Sequence, residues 1–314
     1  HMTETMVNGE SLRQLKLGIA DIIIEARTVD RGIGLRASPT SQPFIVEEGK
    51  PDCVVDVHYG SLPDLVLEQQ LFDSGNGAWV LYSSGEKLVF KLLRGHGQPE
   101  PHRLAVFQPN FNRGELFVCS DSGLSIESCQ RPLEKVSLDP FLYPLDELLI
   151  INLLAQKRGL HIHALGVVYE GQGLIFCGVS GAGKSTLAEL WKERPVKILS
   201  DDRLALRQLE GRLWVYGTPW HGDAHVSLPE KVPLQALYFI EHGQENRIVP
   251  LSATEVATQL LIRCFPTFYL RQGMEYSLSF ITELAREIPC YELQFTPDQR
   301  AIDEVLNHVK GGML

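Results

Sequence analysis

The feature that most limits what this chain can become is the run Gly178-Val179-Ser180-Gly181-Ala182-Gly183-Lys184-Ser185-Thr186. It fits G-x-x-x-x-G-K-[ST] at every required position, follows the apolar residues 174–177 and opens a helix-forming stretch at 187–194. Strand, glycine-rich turn and helix in that order are the setting in which such a loop cradles phosphate. A triphosphate must be met by several converging backbone N–H donors, and only small residues let the main chain wrap so closely. The pattern gives Lys184 to the β- and γ-phosphates and Ser185 to Mg²⁺, so ATP with Mg²⁺ is the expected ligand pair.

The 314 residues suffice for two domains of ordinary size, and 44% hydrophobic residues supply cores for both. A net charge of -10 with no basic run argues against nucleic acid as a partner. No apolar run reaches membrane-spanning length and the N-terminus, where His1-Met2 reads as a cloning remnant, lacks a secretory pattern. A cytoplasmic protein is expected, with no membrane partner; assembly into a homo-oligomer stays open. Cys53, Cys119, Cys129, Cys177, Cys264 and Cys290 form no C-x-x-C pair and no zinc-type spacing, so they read as reduced thiols.

Residues 17–140 read as a mostly antiparallel, β-rich domain, with apolar and β-branched clusters at 18–26, 54–59, 78–82, 88–93, 104–107 and 115–119. Ser83-Ser84-Gly85-Glu86 and residues 109–114 read as hairpin connections. His96 and His102 flank a Gly/Pro-rich segment and read as residues of a mobile loop. Nothing here has catalytic spacing, so residues 1–140 are assigned to recognition or regulation.

The texture changes at Tyr143, where Pro144-Leu145-Asp146-Glu147 opens an apolar helix ending at Gly159. Residues 141–314 are therefore the ATP-binding, catalytic domain. An alternating strand at 160–169 and a turn at 170–173 make a hairpin that feeds the phosphate loop, where a parallel βαβ unit is commoner. Beyond the loop a helix stops at Pro195, and a short strand at 196–199 runs into Ser200-Asp201-Asp202. A right-handed crossover is expected to lay that strand beside the loop's own. Of the two carboxylates, one can hold the metal while the other faces an attacking hydroxyl.

Further strands are expected at 204–207, 213–216, 234–240 and 291–295, and helices at 253–263, 274–287 and 298–310. Gly217-Thr218-Pro219-Trp220-His221-Gly222-Asp223 reads either as a ligand-closing loop or as turn chemistry around a packed tryptophan. His221, Asp223 and His225 share one loop and receive no metal. Arg263 and Arg271, on either side of a break at Pro266, are candidate charge stabilisers.

Ile162-His163, the loop 178–186 and Ser200-Asp201-Asp202, in that order, resemble the catalytic domain of HPr kinase/phosphorylase and, more distantly, the nucleotide core of ATP-dependent phosphoenolpyruvate carboxykinase. The closer likeness is to HPr kinase-related proteins that join such a core to a divergent N-terminal domain. The resemblance implies an α/β (α+β) chain: a β-rich domain, then a P-loop domain with a mixed sheet. It implies that Lys184 and Ser185 handle triphosphate and Mg²⁺, that Asp201 is the catalytic base, that Asp202 helps hold metal and that His163 sits near the transferred phosphoryl group. The expected activity is that of an ATP-dependent kinase acting on a serine of a peptide or protein, or on a small hydroxylated molecule. The alternative is a nucleotide-binding regulator or ATPase that transfers nothing.

Overall fold

The computed structural model describes residues 13–312 except 29, 31, 96, 99, 121–135 and 268. Its content is mixed α/β, rich in sheet with few helices, and tertiary contacts divide it into two units, His1–Leu153 and Leu154–Leu314. Among the described residues no helix is long and apolar enough to cross a membrane.

The first unit contains β1 (Gln14–Ile19), β2 (Ile22–Thr28), β3 (Ile33–Leu35), β4 (Cys53–Gly60), β5 (Gln69–Asp73), β6 (Trp79–Ser84), β7 (Lys87–Leu93), β8 (Pro101–Phe107), β9 (Arg113–Cys119) and β10 (Val136–Leu138), followed at the division by helix α1 (Leu145–Gln156). Eight of these strands form one sheet, ordered β1-β2-β4-β9-β8-β7-β6-β5. Hairpins make most pairings antiparallel, including β6–β7 and β8–β9 at the two expected turns. The centre departs from that expectation, because β4 runs parallel to both β2 and β9. Each of those pairings joins strands far apart in sequence, which need no tight turn. The cluster at 18–26 is two strands, folded at Ala20 and Asp21 with φ of 57 and 55. Such a turn normally announces itself with Asn-Gly or Asp-Gly, and this one does not. His102 is buried on β8 rather than placed in a loop, and burial, followed by the nearby Arg103 and Arg94 charges, pushes its imidazole down to about 4. His96 lies outside the described residues.

The second unit runs through β11 (Gly159–Tyr169), β12 (Gln172–Cys177), α2 (Lys184–Lys192), β13 (Lys197–Ser200), β14 (Arg203–Leu209), β15 (Arg212–Gly217), β16 (Lys231–His242), β17 (Arg247–Pro250), α3 (Ala253–Leu261), α4 (Arg271–Glu287), β18 (Cys290–Phe295) and α5 (Gln299–Lys310). Alternation along the central strands sends side chains to opposite faces. Ile175 and Cys177 of β12 join a core with Val256 and Leu260 of α3 and Phe280, Ile281 and Leu284 of α4. Leu174 and Phe176 join a second core with Leu187 and Trp191 of α2 and Ile302 and Val305 of α5. The sheet is thus covered on both faces. Burying a Trp191 or a Phe176 in this way is worth roughly 1.5–3 kcal/mol or more each.

β12 lies between β11, its antiparallel hairpin partner, and β16, which is parallel to it; β18 is parallel to β16 in turn. With both edges of β12 occupied, β13 cannot lie beside it as the crossover rule predicts. It pairs instead with the far edge of β11, antiparallel, through Gly166↔Ser200 and Val168↔Lys197. The acidic pair therefore reaches the phosphate loop by way of β11.

Candidate functional site

The loop between β12 and α2 is shaped by its glycines. Gly181 and Gly183 take φ of 83 and 104, and Gly183 is the N-cap of α2. A Cβ on Gly183 would lie 2.6 Å from Phe295 Cζ and 2.8 Å from His242 Cε1, and one on Gly178 would lie 2.8 Å from Ala182 Cβ and 2.9 Å from Ile240 Cγ1. Gly178 and Gly183 thus require hydrogen in place of a side chain. Lys184, the first residue of α2, is buried and donates from Nζ to Gly178 O at 2.9 Å, which folds it back over its own loop. Burial pushes its ammonium below the usual lysine range, and the Asp202 carboxylate offsets part of that shift.

β11 brings the second half of the site. His163 pairs in register with Arg203 of β14, and Ala164 N donates to Asp202 O at 2.8 Å, so His163 and Asp202 are set side by side by backbone geometry. His163 Nε2 and Asp202 Oδ1 are 2.6 Å apart, and Arg203 Nε donates to Asp202 Oδ2 at 3.3 Å. Burial alone would raise the Asp202 carboxyl; the His163 hydrogen bond, with the His163, Arg203 and Lys184 charges, outweighs it and holds the group below the usual carboxylate range.

Asp201 has a different set of partners. It is buried, and its carboxylate accepts backbone N–H groups from Gly222 at 3.0 Å, Ala224 at 2.7 Å and Val226 at 3.2 Å. Next to it Ser200 Oγ donates to Trp220 O at 3.2 Å and accepts from Asp202 N and Arg203 N. A carboxylate has about four lone-pair sites. Three of those on Asp201 are occupied by the loop after β15, so the residue read from sequence as the base is engaged in holding that loop. Trp220 of the same loop is buried, edge-on to His161 at 5.1 Å.

These parts line one cleft of about 510 Å³, which receives Ser180, Gly181, Gly183, Lys184, Ser185 and Thr186 from the loop and helix, and His163, Asp201 and Asp202 from the opposite side. Of the remaining predicted loop residues, Gly178 and Ala182 pack on each other behind it and Val179 is exposed. Among the described residues no group of three or more His, Cys, Asp or Glu side chains is arranged to hold a metal. The Ser185 hydroxyl and the Asp202 carboxylate, expected to hold metal, line the cleft together with Ser180, Thr186, Asp201 and Asp223, and all of these offer hard oxygens. That set fits Mg²⁺, which keeps several waters and takes its other ligands from substrate phosphates. Arg263 donates to Gln259 O at 3.0 Å with its guanidinium 5.3 Å from the Phe239 ring centre, and Arg271 is exposed and paired with Glu275, so neither candidate stabiliser lines the cleft. His221 and His225 meet edge-on at 4.7 Å.

Three residues of the lining carry no motif: Gly222, Asp223 and His242. His242 ends β16, the parallel neighbour of the loop's strand, and open α/β sheets bind ligands at the carboxyl ends of such strands. That rule would have found it, had the pairing been known.

Residues 143–307 match the family model described as SynChlorMet cassette protein ScmC, a span of more than half the chain. The chain belongs to the ScmC family. The ScmC span takes in the whole cleft, from His163 to His242, and both helical layers of the second unit. Among solved structures the chain is similar to the Hpr(Ser) kinase/phosphatase from Coxiella burnetii, at 14% identity over 49% of this chain and 99% of that one, with a TM-score of 0.30. Among curated proteins none matches the ScmC chain.

Proposed function

We propose that this chain is an ATP-dependent kinase that moves the γ-phosphoryl group to a hydroxyl acceptor, a serine of a peptide or protein or a small hydroxylated molecule, in the manner of HPr kinase. The observation that carries the reading is the His163–Asp202 pair, closed at 2.6 Å in the same cleft as Lys184 and the first turn of α2. Phosphoryl transfer asks a protein mainly for positioning and charge neutralisation, together with a group to take the acceptor's proton. The backbone N–H groups of the loop and the positive end of α2 receive the phosphates, and Lys184 leaves Gly178 O to pair with them. Ser185 and Asp202 would hold Mg²⁺, which when bound neutralises charge on the β- and γ-oxygens.

As the acceptor oxygen forms its bond to phosphorus, its proton passes to the His163 imidazole, whose positive charge Asp202 then neutralises, and the β–γ bridging oxygen leaves on ADP. His163 is preferred over Asp201 because three of the Asp201 lone-pair sites already accept backbone N–H groups. Asp201 is then a positioning residue that fixes the 222–226 segment at the rim of the cleft. The first unit, in this reading, recognises the acceptor or regulates transfer.

The same capture of Asp201 favours one second reading, a nucleotide-binding regulator in which the acidic pair is architectural. Transfer of labelled γ-phosphate to serine peptides and to small hydroxylated acceptors, with ATP binding followed separately, divides the two. Binding and transfer both lost in Lys184→Ala, transfer alone lost in His163→Ala, and transfer lost with a raised Mg²⁺ requirement in Asp202→Asn support the kinase. Binding with no transfer to any acceptor leaves the regulator.

A further inference from the structure

The cleft has two flanks. On one, β11 and β13 present His163 and Asp202; on the other, the parallel strands β16 and β18 end at His242 and Phe295. If the transferred phosphoryl group faces the first flank, the rest of the donor has to leave over the second. There His242 is exposed and lines the cleft, while its ring lies against Phe295 at 5.2 Å and 33°, a side chain with no exposure of its own. The Cε1–Nε2 edge of the imidazole faces Gly183, where a Cβ would come within 2.8 Å and 2.9 Å of those atoms. The mount beneath the ring is fixed. Gly243 N donates to Phe295 O at 3.0 Å, Thr296 N donates to Asn246 Oδ1 at 2.8 Å and Asn246 Nδ2 donates to Thr296 Oγ1 at 3.0 Å, so the ends of β16 and β18 are fastened to each other.

We infer that His242, backed by Phe295, is a stacking platform for the nucleobase of the phosphoryl donor. The inference rests on the nucleotide reading of the loop and adds to it the seat of the base. A planar ring already immobilised on one face loses little freedom when a second ring covers the other, which makes the platform effective. Stacking of a base on an aromatic ring tolerates different bases and contributes roughly five- to hundred-fold in affinity.

The test measures binding of ATP and of inorganic tripolyphosphate, each with Mg²⁺, by calorimetry to the full chain and to His242→Ala and His242→Phe. His242→Ala should weaken ATP about ten-fold and leave tripolyphosphate unchanged, which also shows the loop to be folded; His242→Phe should keep ATP at nearly the parent affinity. Equal weakening of both ligands would assign His242 to the phosphates, and unchanged ATP binding in His242→Ala would leave it with no role; either result overturns the inference while the nucleotide reading stands. A parent chain that binds neither ligand overturns the nucleotide reading and this inference with it.

Discussion

His163 and Asp202, 39 positions apart, meet at 2.6 Å because β11 pairs with β13 and β14 at once, whereas the carboxylate of Asp201, one residue earlier, is taken by three backbone N–H groups of the 222–226 segment. Adjacent carboxylates thereby have different partners, a histidine and an arginine for one and a loop backbone for the other.

That difference is measurable. Asp201→Asn puts an NH₂ group against N–H donors and should cost about 1–3 kcal/mol, a fall in melting temperature of several degrees, with transfer lost as the 222–226 segment loosens. Asp202→Asn should fall less far below the parent in melting temperature than Asp201→Asn does, and should lose transfer by about 10²-fold or more. Thermal melts run beside a transfer assay check both, and an Asp201→Asn protein that melts like the parent and loses only transfer would return the base to Asp201.

Gly183→Ala should abolish nucleotide binding. It combines a left-handed φ of 104 with a Cβ 2.6 Å from Phe295, and neither the buried ring nor the backbone has room to give. Calorimetry with ATP and Mg²⁺ checks this; a Gly181→Ala control, strained in φ but with nothing within 4 Å of its Cβ, should lose less.

The His163–Asp202 pair should also appear in acid stability. The folded Asp202 carboxyl lies below its ordinary value of 3.8, so its contribution is fully present above about pH 4 and fades as pH falls through the lower folded value. Urea midpoints of the parent and of Asp202→Asn should therefore differ near neutral pH and converge as the solution is acidified below pH 4. Curves that stay parallel down to pH 2 would show that Asp202 does not carry this linkage.

The buried thiols should be silent. Burial pushes Cys53 and Cys290 up to about 12 and raises Cys177 further, so the thiolate that attacks a disulfide reagent is scarce at pH 8. Ellman's reagent should leave these three unmodified in the folded chain and label them on unfolding, as mass spectrometry of the peptides would show.

What the sequence determined by itself was local. The glycines and Lys184 of 178–186 lie within one turn and one helix start, the hairpins at Gly85 and at 109–114 lie within a few residues, and each carries its own stereochemical signature. Apart from β17 (Arg247–Pro250), which no sequence pattern announced, the order of strands and helices in the second unit followed from period and punctuation for the same reason. The tertiary structure decided everything that depends on which strand lies beside which. It set β16 against the loop's strand, displaced β13 to β11, ran β4 parallel to both its neighbours, buried His102, turned Asp201 into the 222–226 segment and put His242 against Gly183. Pairing partners and side-chain directions are fixed by the burial of two opposite sheet faces and by the saturation of strand edges. Both are properties of the whole assembly of strands, and no window of adjacent residues contains them.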